Sequence, residues 1–149
     1  KAIICGAGQV GSNIAKELAS EKVDVTVIDQ SEDLIARIRD TLDVRAMVGH
    51  APLPDILESA GAADADMIIA VTYADEVNMI ACQVAHSLFN IPTKIARIRQ
   101  QDYLKGEWSS LYNKENLPID AIISPENEVA KAIIQVLGNQ NISLQKLVR

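Results

Sequence analysis

The chain has 149 residues, 48% of them hydrophobic and only 3% aromatic, so it is one domain of ordinary size whose core must be aliphatic. A net charge of −6 with a pI near 4.8 argues against nucleic acid or an anionic membrane surface as the main partner. No apolar run approaches the ~20 residues of a spanning helix and nothing at the start reads as a signal peptide, so the chain is expected to be soluble without direct membrane insertion.

In chain order, short apolar runs alternate with segments of helical period. Ala2-Ile3-Ile4 opens the first strand one residue after Lys1, and little is expected to be missing before it. The first helix follows with Val10, Ile14 and Leu18 on one face, then Val23–Asp29 as a buried parallel strand. Ser31 caps a second helix carrying Leu34, Ile35, Ile38 and Leu42. Val44–Val48 is the third strand, and a short helix from Pro52 or Pro54 to Ala60 stops at Gly61. Asp66–Thr72 is the fourth strand. The clearest helix comes next, with Val77, Ile80, Ala81, Val84, Ala85 and Leu88 spaced as one apolar face. Lys94–Arg99 and Ile119–Ile123 read as strands five and six, separated by a polar stretch expected to form one or two short helices over the sheet edge. Ser124, with Pro125 behind it, opens a last helix to Leu137 before Gly138-Asn139. The sum is an α/β, Rossmann-like, doubly wound parallel sheet of order 3-2-1-4-5-6. Residues 140–149 begin a new apolar pattern, a linker or the start of a following domain.

Cys5-Gly6-Ala7-Gly8-Gln9-Val10-Gly11 places a GxGxxG at the first strand-to-helix turn, with Asp29 closing the second strand eighteen residues after Gly11. The three glycines answer different steric demands. Gly6 makes the tight turn, Gly8 removes a side chain from the path of a pyrophosphate, and Gly11 lets the helix pack closely. Free N–H groups and the helix dipole then favour phosphate. Asp29 can accept hydrogen bonds from both ribose hydroxyls and repels a 2′-phosphate, which excludes NADP but leaves NAD and adenine nucleotides open. In such a sheet the loops after strands three, four and five complete the pocket. They supply Gly49 with His50, Thr72 with Tyr73, Asp75 and Glu76, and Arg97 with Arg99. His50 fits either an adenine contact or a solvent-facing loop residue. Asp75 and Glu76 fit the positive end of a helix, or a carboxylate pair for acid–base work or a cation site. Arg97 interrupts an apolar strand, a cost that a phosphate or a carboxylate would answer. His86 reads as a surface residue, and Cys5 and Cys82 as buried thiols. No Tyr-x-x-x-Lys pair and no metal-ligand cluster occurs, so neither a catalytic nor a metal site is assigned, and binding without chemistry suggests a sensor.

Gly6 to Gly11, Val27-Ile28-Asp29, Gly49-His50, Ala60-Gly61-Ala62, Val71-Thr72, Asp75-Glu76-x-Asn78-Met79 and Ile95-Ala96-Arg97-Ile98-Arg99 together resemble the regulatory nucleotide-binding (RCK, or KTN) domain of potassium transport systems, nearest to the N-terminal, TrkA-type domains. The resemblance covers residues 2 to about 138. It implies a nucleotide-binding domain over 1–138, and NAD or NADH, with ATP or ADP possible, held by Gly6 to Val10, Asp29, Thr72, Tyr73 and Arg97. His50 joins these on geometry alone. It also implies a cytoplasmic subunit, peripheral on the inner face of the cell membrane, that gates a separate potassium transporter of the TrkH/TrkG kind and assembles as a dimer or tetramer through its helices. The alternative from the same residues is the cofactor-binding fragment of an NAD-dependent dehydrogenase. Relatives commonly carry further domains that 149 residues do not contain, and Cys5 stands where a larger aliphatic is usual.

Overall fold

The computed structural model describes residues 1–123; the helix expected from Ser124 and the apolar pattern after residue 139 lie outside them. Six parallel strands form one sheet in the order β3-β2-β1-β4-β5-β6. They are β1 Ala2–Cys5, β2 Val25–Asp29, β3 Arg45–Val48, β4 Met67–Ala70, β5 Thr93–Arg97 and β6 Ala121–Ile123. The helices are α1 Gln9–Ser20, α2 Glu32–Thr41, α3 Pro54–Ser59 and α4 Asp75–Phe89. Two 3₁₀ helices, Gln101–Leu104 and Gly106–Leu111, occupy the polar stretch before β6.

Alternate strand residues feed two separate aliphatic layers, as a two-residue side-chain period requires of a sheet covered on both faces. Ile4, Val27 and Ile69 meet Ile14, Leu18 and Ile35 of α1 and α2. Ile3, Ile28 and Ile68 meet Leu57, Met79 and Cys82 of α3 and α4. Tyr103, Leu104, Tyr112 and Leu117 pack on this second layer, whereas Trp108 is 55% exposed. The chain winds outward from β1 to β3, then crosses back to β4 beside β1, so the order reverses between β1 and β4. Such a reversal opens a crevice at the carboxyl ends of the two strands.

Several elements end earlier than their sequence suggests. β4 stops at Ala70 and β5 at Arg97: their outer partners β1 and β6 still take the Val71 and Ile98 N–H groups, but between the two strands side chains of α4 take Thr72 N–H, Arg97 C=O and Arg99 N–H. α4 also turns differently from its apolar spacing. Its buried face is Asp75, Asn78, Met79, Ala81, Cys82 and Ala85, while Ile80 and Leu88 are 50% and 59% exposed and Val77 and Val84 are half-buried. The helix thus has two apolar stripes. Of the second, Ile80 and Leu88 face outward while Val84 packs on the core and Val77 lines the cavity.

Charged side chains satisfy backbone groups both at the start of β5 and at the β3 edge. Lys94, buried, donates from Nζ to the carbonyls of Ile91 and Pro92 at 2.8 and 3.3 Å, and Asp120 accepts its backbone N–H at 2.7 Å. On the far side Arg39 donates from Nε and Nη2 to the Ala46 carbonyl at 3.1 and 2.7 Å. Gly49 N–H points to Asp29 O of β2, so in a parallel strand Ala46 points the other way, to the free edge. A guanidinium there covers an acceptor that another strand would otherwise find.

Candidate nucleotide-binding site

A cavity of about 380 Å³ opens at the crevice. Its wall includes ten of the twelve candidate residues: Gly6, Gly8, Gln9, Val10, Asp29, Gly49, His50, Thr72, Tyr73 and Arg97. Ala7 and Gly11 lie behind the wall, both buried.

The three glycines of the turn have different steric surroundings. Gly6 sits at φ +116°, and a Cβ on it would come within 2.8 Å of the Val71 carbonyl oxygen at the end of β4. A Cβ on Gly11 would stand 1.8 Å from the Gly6 carbonyl oxygen. Both positions are closed by backbone. Gly8 is the opposite case, with nothing within 4 Å of a built Cβ, so the space it leaves belongs to the cavity. Gly8 also caps α1, whose first turn has no side-chain cap and no acidic residue. The orphan N–H groups of that turn, with the positive end of the helix dipole, make a seat for an anion.

Asp29 faces this seat from the end of β2. Its Oδ2 accepts the Ala7 N–H and its Oδ1 the Ser31 N–H, each at 2.8 Å. The acid therefore ties the phosphate loop to the start of α2. A carboxylate has about four acceptor positions, so two remain for a pair of hydroxyls. Beside it, His50 Nδ1 pairs with the side-chain amide of Gln30, and both line the cavity. Sequence reading missed Gln30, although it directly follows the acid.

Across the crevice, Arg97 is buried and Tyr73 is 82% exposed, with the Arg97 and Arg99 guanidinium carbons each 5.8 Å from the Tyr73 ring centre. That spacing allows cation–π attraction with either arginine. Asp75 and Glu76 do not act as a pair. Asp75 is buried and accepts the Arg99 and Gln100 N–H groups at 2.9 and 2.8 Å, while Glu76 accepts the Tyr103 hydroxyl at 2.8 Å. The Glu76 carboxylate in turn pushes the Tyr103 phenol above its ordinary pKa. His86, read as a surface residue, is half-buried on α4 and outside the cavity wall. Burial raises the Cys5 thiol to about 12, and Cys82 is pushed up further by burial and by Cys5, so neither supplies a thiolate nucleophile at neutral pH. Among the described residues no cluster of three His, Cys, Asp or Glu side chains can hold a metal ion, and no helix is long and apolar enough to cross a membrane.

The TrkA-N domain profile matches residues 2–125. The chain belongs to the TrkA-N family. The Trk system potassium uptake protein TrkA of Azorhizobium caulinodans is 56% identical over 138 residues, covering 93% of this chain and 30% of that protein. The TrkA-N domain thus spans about a third of the relatives it matches. The TrkA-N domain of the inner membrane protein YbaL from Escherichia coli superposes with a TM-score of 0.72 at 21% identity, over 91% of this chain and 95% of that one. The GsuK channel bound to NAD superposes at 0.68 and 19% identity, over 87% and 22%. The same channel bound to ADP gives 0.66 and 16%, over 95% and 41%. At these identities the structures establish a shared fold.

Proposed function

We propose that this TrkA-N domain binds NAD or NADH, with ATP or ADP as competing occupants, and serves as the nucleotide-sensing part of a potassium uptake system. The observation that carries the reading is the open space over Gly8 between the α1 N-terminus and Asp29. The phosphates lie over Gly8 to Val10, the adenine-side ribose on Asp29 with His50 and Gln30 beyond it, and the other half toward Thr72, Tyr73 and Arg97. The carboxylate of Asp29 disfavours a 2′-phosphate, so NADP is a poor ligand. The GsuK structures with NAD and with ADP make both ligand classes reasonable.

The role is regulatory and not catalytic. The buried acid Asp75, at the start of α4, is committed to backbone N–H groups, and the two thiols are protonated. A domain from a Trk potassium uptake protein works on a transporter in a separate membrane chain, here one of the TrkH/TrkG kind, from the cytoplasmic face. Binding biases that partner only through different affinities for two states, and a swing from 1:99 to 99:1 needs about 5.5 kcal/mol. Several copies acting together supply it. The outward stripe of α4, with Ile80 and Leu88 exposed, is the surface for pairing into a dimer or tetramer.

Calorimetric titration with NAD, NADH, ATP, ADP and NADP, beside the Asp29→Ala protein, tests this. Loss of charge-assisted bonds of ~1.5–3 kcal/mol lowers NAD affinity about 10- to 100-fold. Unchanged affinity removes Asp29 from the site, and no binding by any nucleotide removes the reading.

A further inference from the structure

Asn78 is fully buried on the inner face of α4, where the helix otherwise presents small or apolar side chains, and it makes four hydrogen bonds. Its Oδ1 accepts the Thr72 N–H at 2.9 Å and the Thr72 hydroxyl at 2.7 Å. Its Nδ2 donates to the Thr72 carbonyl at 3.1 Å and to the Arg97 carbonyl at 2.8 Å.

The strand directions give this arrangement its meaning. Val71 N–H bonds to Cys5 O of β1, so Thr72, one residue on, turns its backbone N–H and C=O toward β5. Ile98 N–H bonds to Ile123 O of β6, so Arg97 turns its own toward β4. The register Ala70↔Ala96 makes a direct bond from Thr72 N–H to Arg97 O the next rung of the ladder. That rung is replaced by a relay, Thr72 N–H to Oδ1 and Nδ2–H to Arg97 O, with one side-chain amide spliced into it. The strands part there, and Thr72 and Arg97 both line the cavity. Three residues earlier on the same helix, Asp75 takes the Arg99 and Gln100 N–H groups, so the first turn of α4 holds the ends of both strands.

We infer that Asn78 is a positioning residue: its amide sets the gap between the ends of β4 and β5 and so places Thr72 and Arg97 for the half of a dinucleotide beyond the phosphates. The inference rests on the nucleotide reading above. The adenine side is governed from β2 and β3 by Asp29 and His50, which Asn78 does not touch. A buried polar residue needed only for stability would affect all ligands alike; a spacer on one wall discriminates between them.

The test compares NAD and AMP, which lacks the second half, by calorimetry on wild type, Asn78→Ala and Asn78→Asp, with circular dichroism establishing that each is folded. Asn78→Asp keeps the acceptor for Thr72 and loses the donors to both carbonyls. NAD affinity is expected to fall about tenfold or more, the equivalent of one strong hydrogen bond, while AMP affinity stays within about twofold. If neither variant folds, NMR of the wild type decides: the Asn78 side-chain amide protons are expected to shift with NAD and stay with AMP. Unchanged NAD affinity in a folded variant, equal loss of NAD and AMP, or side-chain protons indifferent to NAD overturns the inference while leaving the nucleotide reading intact. A wild type that binds neither ligand overturns both.

Discussion

Alanine at each glycine of the phosphate loop separates folding from binding. At Gly8, φ −71° and ψ −166° suit any residue, and a Cβ meets nothing within 4 Å. Removing glycine from the unfolded ensemble stabilises by ~0.4–1 kcal/mol, while alanine is a poorer helix cap by ~0.5–1 kcal/mol, so the two offset and Gly8→Ala melts close to wild type. Its methyl group would stand in the space proposed for the phosphates. Overpacking of ~1–3 kcal/mol predicts NAD affinity lower by about 5- to 150-fold. Gly11→Ala is the contrast, since a Cβ 1.8 Å from the Gly6 carbonyl must push α1 off β1, and the protein is expected to unfold or aggregate. Thermal melts followed by circular dichroism, paired with calorimetry, read both quantities. A Gly8→Ala protein that is folded and binds NAD as wild type refutes a phosphate seat over Gly8.

The buried thiols give an alkaline limb to the stability curve. Their folded pKa values lie above the unfolded value of 9.0, so their contribution is complete below pH 9.0 and is lost as pH rises toward the folded values, about 12 for Cys5. Denaturant unfolding between pH 9 and 10.5 is expected to lose stability with a slope rising from about 0.7 toward 1.4 kcal/mol per pH unit for each thiol, and less in Cys82→Ala. Arg39→Ala uncovers the edge carbonyl of Ala46, so light scattering should show concentration-dependent association at a stability cost of only ~0.5–1.5 kcal/mol. Ile80→Asp with Leu88→Asp should leave the melting temperature nearly unchanged but reduce the sedimenting mass to a monomer. Mass unaltered by both changes places the pairing surface elsewhere.

The sheet order is legible in the sequence because each βα unit carries an unambiguous change of hydrophobic period, and the tight turn between β1 and α1 because Gly6 and Gly11 stand where backbone leaves no room for a Cβ. What sequence reading loses lies where side chains do the work of backbone. Nothing in the Lys94–Arg99 pattern says that Asp75 will claim the Arg99 N–H and end the strand at Arg97. Asp75 itself fits a helix dipole so well that its second use is invisible. The apolar spacing of α4 finds Ala81 and Ala85 on the buried face but draws in the exposed Ile80 and Leu88 and leaves out Asn78, Met79 and Cys82, because large aliphatics outweigh small and polar residues in any periodicity. Asn78 and Gln30 each carry a signal, a polar residue among core positions and the neighbour of Asp29 at the end of β2. The family resemblance captures the first as a motif without giving its use.

Trp108 is the chain's only indole, and it is half-exposed on a 3₁₀ helix away from the cavity wall. Its emission is therefore solvent-like before unfolding as well as after, which makes it a poor reporter of folding. The same isolation makes it a good optical donor. Tryptophan emission overlaps the absorption band of reduced nicotinamide, which the oxidised form lacks. Were the proposed nicotinamide dinucleotide bound, energy transfer from residue 108 would let a single cuvette distinguish its two redox forms on a protein carrying no added dye.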